Sequence, residues 1–306
     1  MKSTARLYVL LARGSSQGVI FRRGPSSQVL LIKWNLDDDS FESGQWLKGR
    51  IYERRCDLSP DGDLRAYFAS DFRRSIGSWT AISRPPFFTA LALWPKGNCW
   101  GGGGHFASNA RFQLNHSASE MSLAPNFSIP RWLSVSDCGD WTGRGEDAPI
   151  WPSRLLRDGW KLVANPEKTK DDYGAKVWIE YDPPIKWEKA HPLWPDKYTL
   201  SMSIFGIMER NGPWYVTEHL VAGVKGYNGA IGRSEWADWS RDGDLLFAQS
   251  GLLYRLRPSR GRFGPIEQSK QIADFNGLKF QRAEPPADAQ IWPPSRAKLR
   301  RKQARR

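Results

Sequence analysis

Cysteine is scarce in this chain, and the scarcity narrows the chemistry at once. The three residues, Cys56, Cys99 and Cys138, stand too far apart for a disulfide framework or a cysteine-rich zinc site. A reduced, cytoplasmic setting fits that usage. Histidine is hardly commoner: His105, His116, His191 and His219 show no metal-ligand spacing, and although Cys99 and His105 are close in sequence, a nucleophile pair needs a spatial geometry that spacing does not supply. No metal, no cofactor and no catalytic residue is expected on these grounds. Long apolar runs are missing as well. Leu7-Tyr8-Val9-Leu10-Leu11-Ala12 is ended by Arg13, too soon for a signal segment or a membrane span, so it reads as a first β-strand and no membrane partner is expected. Twenty-eight glycines and 21 prolines interrupt the 306 residues too often for long helices, and no amphipathic helix of four turns can be found.

What the chain has in abundance is aromatic residues. Sixteen tryptophans run from Trp34 to Trp292, so the surplus belongs to the whole body and not to one binding cassette. Period-two alternation recurs, as in Val29–Trp34, Thr89–Trp94 and Lys176–Tyr181, and turn clusters such as Arg23–Ser27, Arg210–Pro213 and Arg257–Gly261 separate the runs. The pattern is that of an all-β chain of many short strands.

The net charge of +13 first suggests nucleic acid, but its location says otherwise. Seven of the positive charges, Arg296, Lys298, Arg300, Arg301, Lys302, Arg305 and Arg306, lie in the last eleven residues, beyond Trp292-Pro293-Pro294. That tail, 293–306, is expected to be a basic disordered terminus, able to hold a polyanion or nucleic acid by counterion release. The remaining +6 on residues 1–292 makes no charged groove.

One phrase occurs twice, as Asp57-Leu58-Ser59-Pro60-Asp61-Gly62-Asp63-Leu64 and Asp238-Trp239-Ser240-Arg241-Asp242-Gly243-Asp244-Leu245, with six of eight positions identical. Each copy supplies turn chemistry and runs into a strand-like stretch. A weaker echo, Leu156-Arg157-Asp158-Gly159, lies between them. The separation of the two copies, 181 residues, divides into four periods of about 45, the length of a four-stranded propeller blade. The phrase begins like a calcium loop, but the twelfth position is Phe68 in one copy and Gln249 in the other where a bidentate Glu belongs. It is a structural mark. Ser59-Pro60-Asp61-Gly62 followed by an aromatic strand resembles the repeat of WD40-like, TolB-type β-propellers. The resemblance implies a propeller of five or six four-stranded blades over 1–292, its ring closed by a strand from Arg6–Ala12.

A propeller hosts binding and catalysis alike, so function must come from sites. The glycine run Gly101-Gly102-Gly103-Gly104, between Trp100 and His105, could face a ligand, and the stretch Asp137–Asp147 combines glycines, both charge signs, Trp141 and Arg144. These two loops are the expected contact with a protein or peptide partner, which makes the chain a non-enzymatic interaction module. Two other readings stay open. A propeller hydrolase of glycans or peptides would need two converging carboxylates, with Glu180, Asp182, Glu209, Glu218 and Asp238 as candidates. A nucleic-acid-associated protein would use the basic tail.

Overall fold

The computed structural model describes residues 4–24 and 28–294, so the basic-tail residues Arg296 to Arg306 lie outside the described part. Within it the chain is a succession of five sheets, each assembled from strands that follow one another in sequence. The all-β expectation holds.

The first sheet orders its four strands Arg6–Leu11, Gln17–Arg23, Gln28–Asn35 and Ser40–Lys48 side by side. The second is built on Arg65–Asp71, Gly77–Ser83 and Ala90–Pro95, with the short segments Arg50–Ile51 and Asp57–Leu58 both on Arg65–Asp71. All seven positions of Arg65–Asp71 and all seven of Gly77–Ser83 are buried, which explains why valine-type alternation is absent there. The third sheet departs from a four-stranded meander. Gly104–Ser108 pairs antiparallel with Arg111–Leu114, but Ser134–Asp137 then joins Arg111–Leu114 in parallel after a long crossover. The fourth sheet is the largest, with Val177–Ala190 and Tyr198–Glu209 as its long central strands and Trp160–Ala164 and Asn228–Arg233 at its edges. The fifth meanders through Trp236–Trp239, Leu245–Gln249, Leu252–Leu256 and Lys270–Asp274.

Two compact units divide these elements: residues 1–8 with 155–278, and residues 9–154 with 279–306. In the second of these, Leu64, Ala66, Ile82, Ala92, Trp94, Phe106, Phe112 and Leu114 form a core between the second and third sheets, with Trp94 and Phe106 each against the Phe112 ring at 6.0 and 5.0 Å. The other unit centres its aromatics on His191, whose ring stacks on Trp194 at 4.7 Å and meets Trp239 edge-on at 4.8 Å. Trp34, Trp94 and Trp239 are buried, as packing residues should be, while Trp178 is half-buried against Tyr173.

Both copies of the repeated phrase fold into related turns, the second closed one residue sooner than the first. Ser59 exchanges bonds with Leu64, its N–H going to the Leu64 carbonyl (2.8 Å) and its Oγ accepting the Leu64 N–H (3.0 Å); Ser240 makes the same pair of bonds with Asp244 (2.8 and 2.9 Å), the position that aligns with Asp63 and not with Leu64. Gly62 and Gly243 sit at φ +82° and +84°, where a side chain is strained, and each donates its N–H back to the serine carbonyl. The third echo is different. Gly159, at φ +91°, terminates the helix Ile150–Arg157 by donating to the Leu156 carbonyl, so Arg157-Asp158-Gly159 is a helix stop and not a third repeat turn.

The ring-closing strand also takes an unexpected place. Arg6–Leu11 lies beside Gln17–Arg23 in the first sheet, and the fifth sheet draws all four of its strands from residues 236–274. The tie to the last sheet is made one residue earlier, where the Ala5 N–H donates to Asn276 Oδ1 at 2.8 Å.

Candidate functional site

The two loops singled out in the sequence meet at one end of the unit formed by 9–154 and 279–306. The Gly101 N–H donates to the Gly145 carbonyl (2.6 Å), and the Gly143 N–H to Asn115 Oδ1 (2.7 Å). Asn115 locks the glycine run from the other side, its carbonyl accepting the Gly102 N–H (2.7 Å), its N–H donating to Gly103 O (2.9 Å) and its amide to Gly102 O (3.1 Å).

The glycine run is therefore not a loose, ligand-facing loop. Gly101 to Gly104 are buried, and their amides are spent inside the fold. Glycine is required for two reasons: Gly101, Gly102 and Gly103 have φ of +68°, +84° and +80°, and their neighbours are too close for a side chain. A Cβ on Gly102 would stand 2.3 Å from the Phe68 ring and one on Gly103 2.2 Å from the Arg55 carbonyl. His105 follows, half-buried in strand Gly104–Ser108. What reaches solvent is the flanking aromatics, with Trp100 63% and Trp141 69% exposed, and Arg144 beside them.

Two buried groups hold this base rigid. The Arg55 guanidinium donates to the carbonyls of Cys99 and Gly101 (2.7 Å each) and to Asp147 Oδ1 (3.0 Å), and it lies over the Tyr52 ring at 4.7 Å. It joins both loops. His116, fully buried, accepts at Nε2 from Thr80 Oγ1 (2.9 Å), because that hydroxyl oxygen already takes the Gly103 N–H (2.7 Å); Nδ1 then donates to the Glu120 carbonyl (3.0 Å). Burial holds the imidazole down to about 4, with the nearby Lys96 cation acting the same way. Lys96 grips both Glu120 oxygens at 2.7 and 2.6 Å; burial pushes that carboxyl up, but the Lys96 and Ser117 bonds outweigh it and its pKa ends below the usual range.

Sequence reasoning missed another exposed aromatic of this unit, Phe72, which is 62% exposed. Its ring lies close to Gly77, which in turn approaches the Gly97 carbonyl three residues before Trp100. Arg73 and Arg74 follow it and share the single Asp71 carboxylate. The signal was present, since a phenylalanine inside the polar turn Asp71-Phe72-Arg73-Arg74 has no packing role to play. Arg55 gave no such sign.

Three of the carboxylates considered for hydrolysis are each held by a cation. Glu180 faces Lys170 at 3.6 Å, Glu209 is shared by Lys176 and Arg233, and Asp238 holds Lys189 Nζ at 2.6 Å. Asp182 is exposed beside Pro183, and Glu218 stands opposite Ser203 in the sheet. The acidic phrase is equally committed: Asp57 Oδ2 accepts the Phe106 N–H (2.7 Å) and Asp61 Oδ1 the Ser59 hydroxyl (2.6 Å). Among the described residues no helix is long and apolar enough to cross a membrane.

These features define an all-β chain of successive, mostly antiparallel sheets with an aromatic loop end. No family model and no curated protein matches it. Among solved structures, a match is the β-propeller domain of the Trilobed protease from Pyrococcus furiosus, which has an open velcro topology. It is 12% identical, with 86% of this chain and 85% of that chain covered and a TM-score of 0.28. That score is too low for the two folds to correspond in detail, so blade number and function rest on this chain's own residues.

Proposed function

We propose that the chain is a non-enzymatic interaction module on a propeller-like fold, working in a reduced, cytoplasmic compartment, and that it takes a protein or peptide partner at the Trp100 and Trp141 loops. The observation that carries this reading is the presence of two tryptophans, each more than 60% exposed, on a base whose glycines, Asn115, Arg55 and His116 are hydrogen-bonded within the fold. Rigid aromatic anchors beside an arginine are the residue types that dominate binding energy at protein interfaces. The loop around Trp141 also exposes Asp137, Asp140 and Glu146, which would repel a phosphate backbone and suit a partner of mixed charge. The free thiols Cys56, Cys99 and Cys138 agree with a reduced setting. The five consecutive sheets support a count of five blades, and the Ala5 to Asn276 bond supports closure near the N-terminal strand. The basic tail remains a proposed polyanion contact of its own.

The test is the double variant Trp100→Ala/Trp141→Ala. A partner recovered by proximity crosslinking in the native host, then titrated by calorimetry, should bind the double variant at least about 30-fold more weakly, the loss that corresponds to ~2 kcal/mol at a hot spot. Equal affinity, or turnover of a glycan or peptide by both proteins, overturns the reading.

A further inference from the structure

The interior of the unit built from 9–154 and 279–306 is unusually cationic. Arg22, Arg54, Arg55, Arg65 and Arg154 are all buried there. Buried guanidinium groups need acceptors, and most of these have them. Arg55 has Asp147, Arg22 reaches the Gly24 carbonyl and Arg154 the Cys56 carbonyl. In the other unit, buried Arg255 holds Asp244 at 2.6 Å.

Among the described residues Arg65 is the arginine with two buried donor nitrogens unanswered. It opens the strand Arg65–Asp71 and is 0% exposed. Nη2 donates to Ser83 Oγ at 2.7 Å and to the Phe87 carbonyl at 3.3 Å, while Nε and Nη1 are shut off from solvent with no acceptor. Three rings surround the guanidinium carbon, Phe21 at 5.5 Å, Tyr67 at 4.4 Å and Phe88 at 4.5 Å. Among the described residues no carboxylate bonds it. The acidic groups whose field it feels are the Tyr67 phenol and the Cys56 thiol. Burial pushes both upward, the thiol to about 12, so both are neutral at physiological pH. Burial lowers the guanidinium itself only to about 10, and it stays a cation.

An unpaired charge in such a place is costly, and the ring faces recover only part of the loss. A buried water would answer the N–H groups but not the charge. An anion answers both, through charge-assisted bonds that are stronger than neutral ones. The donor set points the same way: Nε–H and Nη1–H are available, and Ser83, whose oxygen takes the Nη2 bond, keeps its own hydroxyl hydrogen to donate. Enclosure at 0% exposure by three aromatic rings selects a small, weakly hydrated ion over phosphate, sulfate or a carboxylate ligand. We propose that Arg65 and Ser83 form a buried halide site, occupied by chloride, which completes the core of this unit.

The experiment is thermal and urea unfolding of the full chain at fixed ionic strength, with chloride or bromide exchanged for fluoride or gluconate. For the wild type, the unfolding equilibrium constant should fall about tenfold for each tenfold rise in free chloride above its Kd, since only the folded chain carries the site. Bromide should act as chloride does, and Arg65→Met, which keeps the shape without the charge, should show no such dependence. Crystals grown in bromide should give an anomalous peak within hydrogen-bonding distance of Arg65. A wild type indifferent to chloride, or an Arg65→Met protein with the same dependence as the wild type, overturns the proposal. Should Arg65→Met fail to fold, the bromide position in the wild type decides alone: a peak elsewhere, or none at Arg65, overturns it too.

Discussion

At the scale of single residues, the glycine run shows how one residue type can carry opposite meanings. Gly102 and Gly103 combine positive φ with neighbours at 2.3 and 2.2 Å, so an added methyl meets both backbone strain and a clash. Gly139, on the loop that reaches toward the same base, has φ +89° but nothing within 4 Å of where a methyl would stand, which leaves strain alone. Gly139→Ala should cost about 1 kcal/mol and Gly102→Ala or Gly103→Ala about 3 kcal/mol or more, measured by urea denaturation. If all three cost the same, the base is not a tightly packed support for the two tryptophans. A run of four glycines looks identical in sequence whether it is a mobile loop or a buried turn, because the deciding atoms, the Phe68 ring and the Arg55 carbonyl, come from more than thirty residues away.

At the scale of elements, the repeated phrase is the clearest case of a sequence signal that carries its own geometry. In both copies the serine closes a reciprocal pair of backbone and side-chain bonds and is itself buried. Ser59→Ala and Ser240→Ala each leave a buried N–H without an acceptor, at a cost of about 1–3 kcal/mol, and the two costs should agree within about 1 kcal/mol. A negligible cost at one position alone, read from chemical denaturation, would break the equivalence of the two turns. The strands beside these turns were legible for the same local reason. Val29–Trp34, Thr89–Trp94 and Lys176–Tyr181 all fall within or across observed strands, because alternation is set by the pleat. The third echo misled because Asp-Gly is good chemistry for a helix stop as well as for a hairpin, and only the preceding helix distinguishes them. The loop pair was half legible. Composition singled out Trp100, Trp141 and Arg144 as expected contacts, whereas the meeting of the loops depends on Arg55 and Asn115, whose roles are set by tertiary contacts.

At the scale of the whole molecule, two half-hidden titrations act on stability in opposite directions. His116 takes up its proton near pH 6.5 when unfolded but only near pH 4 when folded, mainly because it is buried. Between those values the unfolded chain binds more protons, so stability present above pH 6.5 is lost as the pH falls toward 4. Glu235 does the reverse. Burial raises its carboxyl from 4.5 to about 7 against the pull of Arg6 and of the Ser250 N–H that it accepts at 3.0 Å. The folded chain keeps that proton longer, so stability present below pH 4.5 is lost as the pH rises through 7. Each effect amounts to about 3 kcal/mol across its window, and between pH 4.5 and 6.5 they nearly cancel. The wild type should therefore be almost flat there by urea denaturation, Glu235→Gln should lose stability toward acid, and His116→Gln should lose it toward neutrality. Where the two compact units melt in separate transitions, the His116 effect belongs to residues 9–154 and the Glu235 effect to residues 155–278. Single variants as flat as the wild type would show that neither group is as deeply held as its surroundings require.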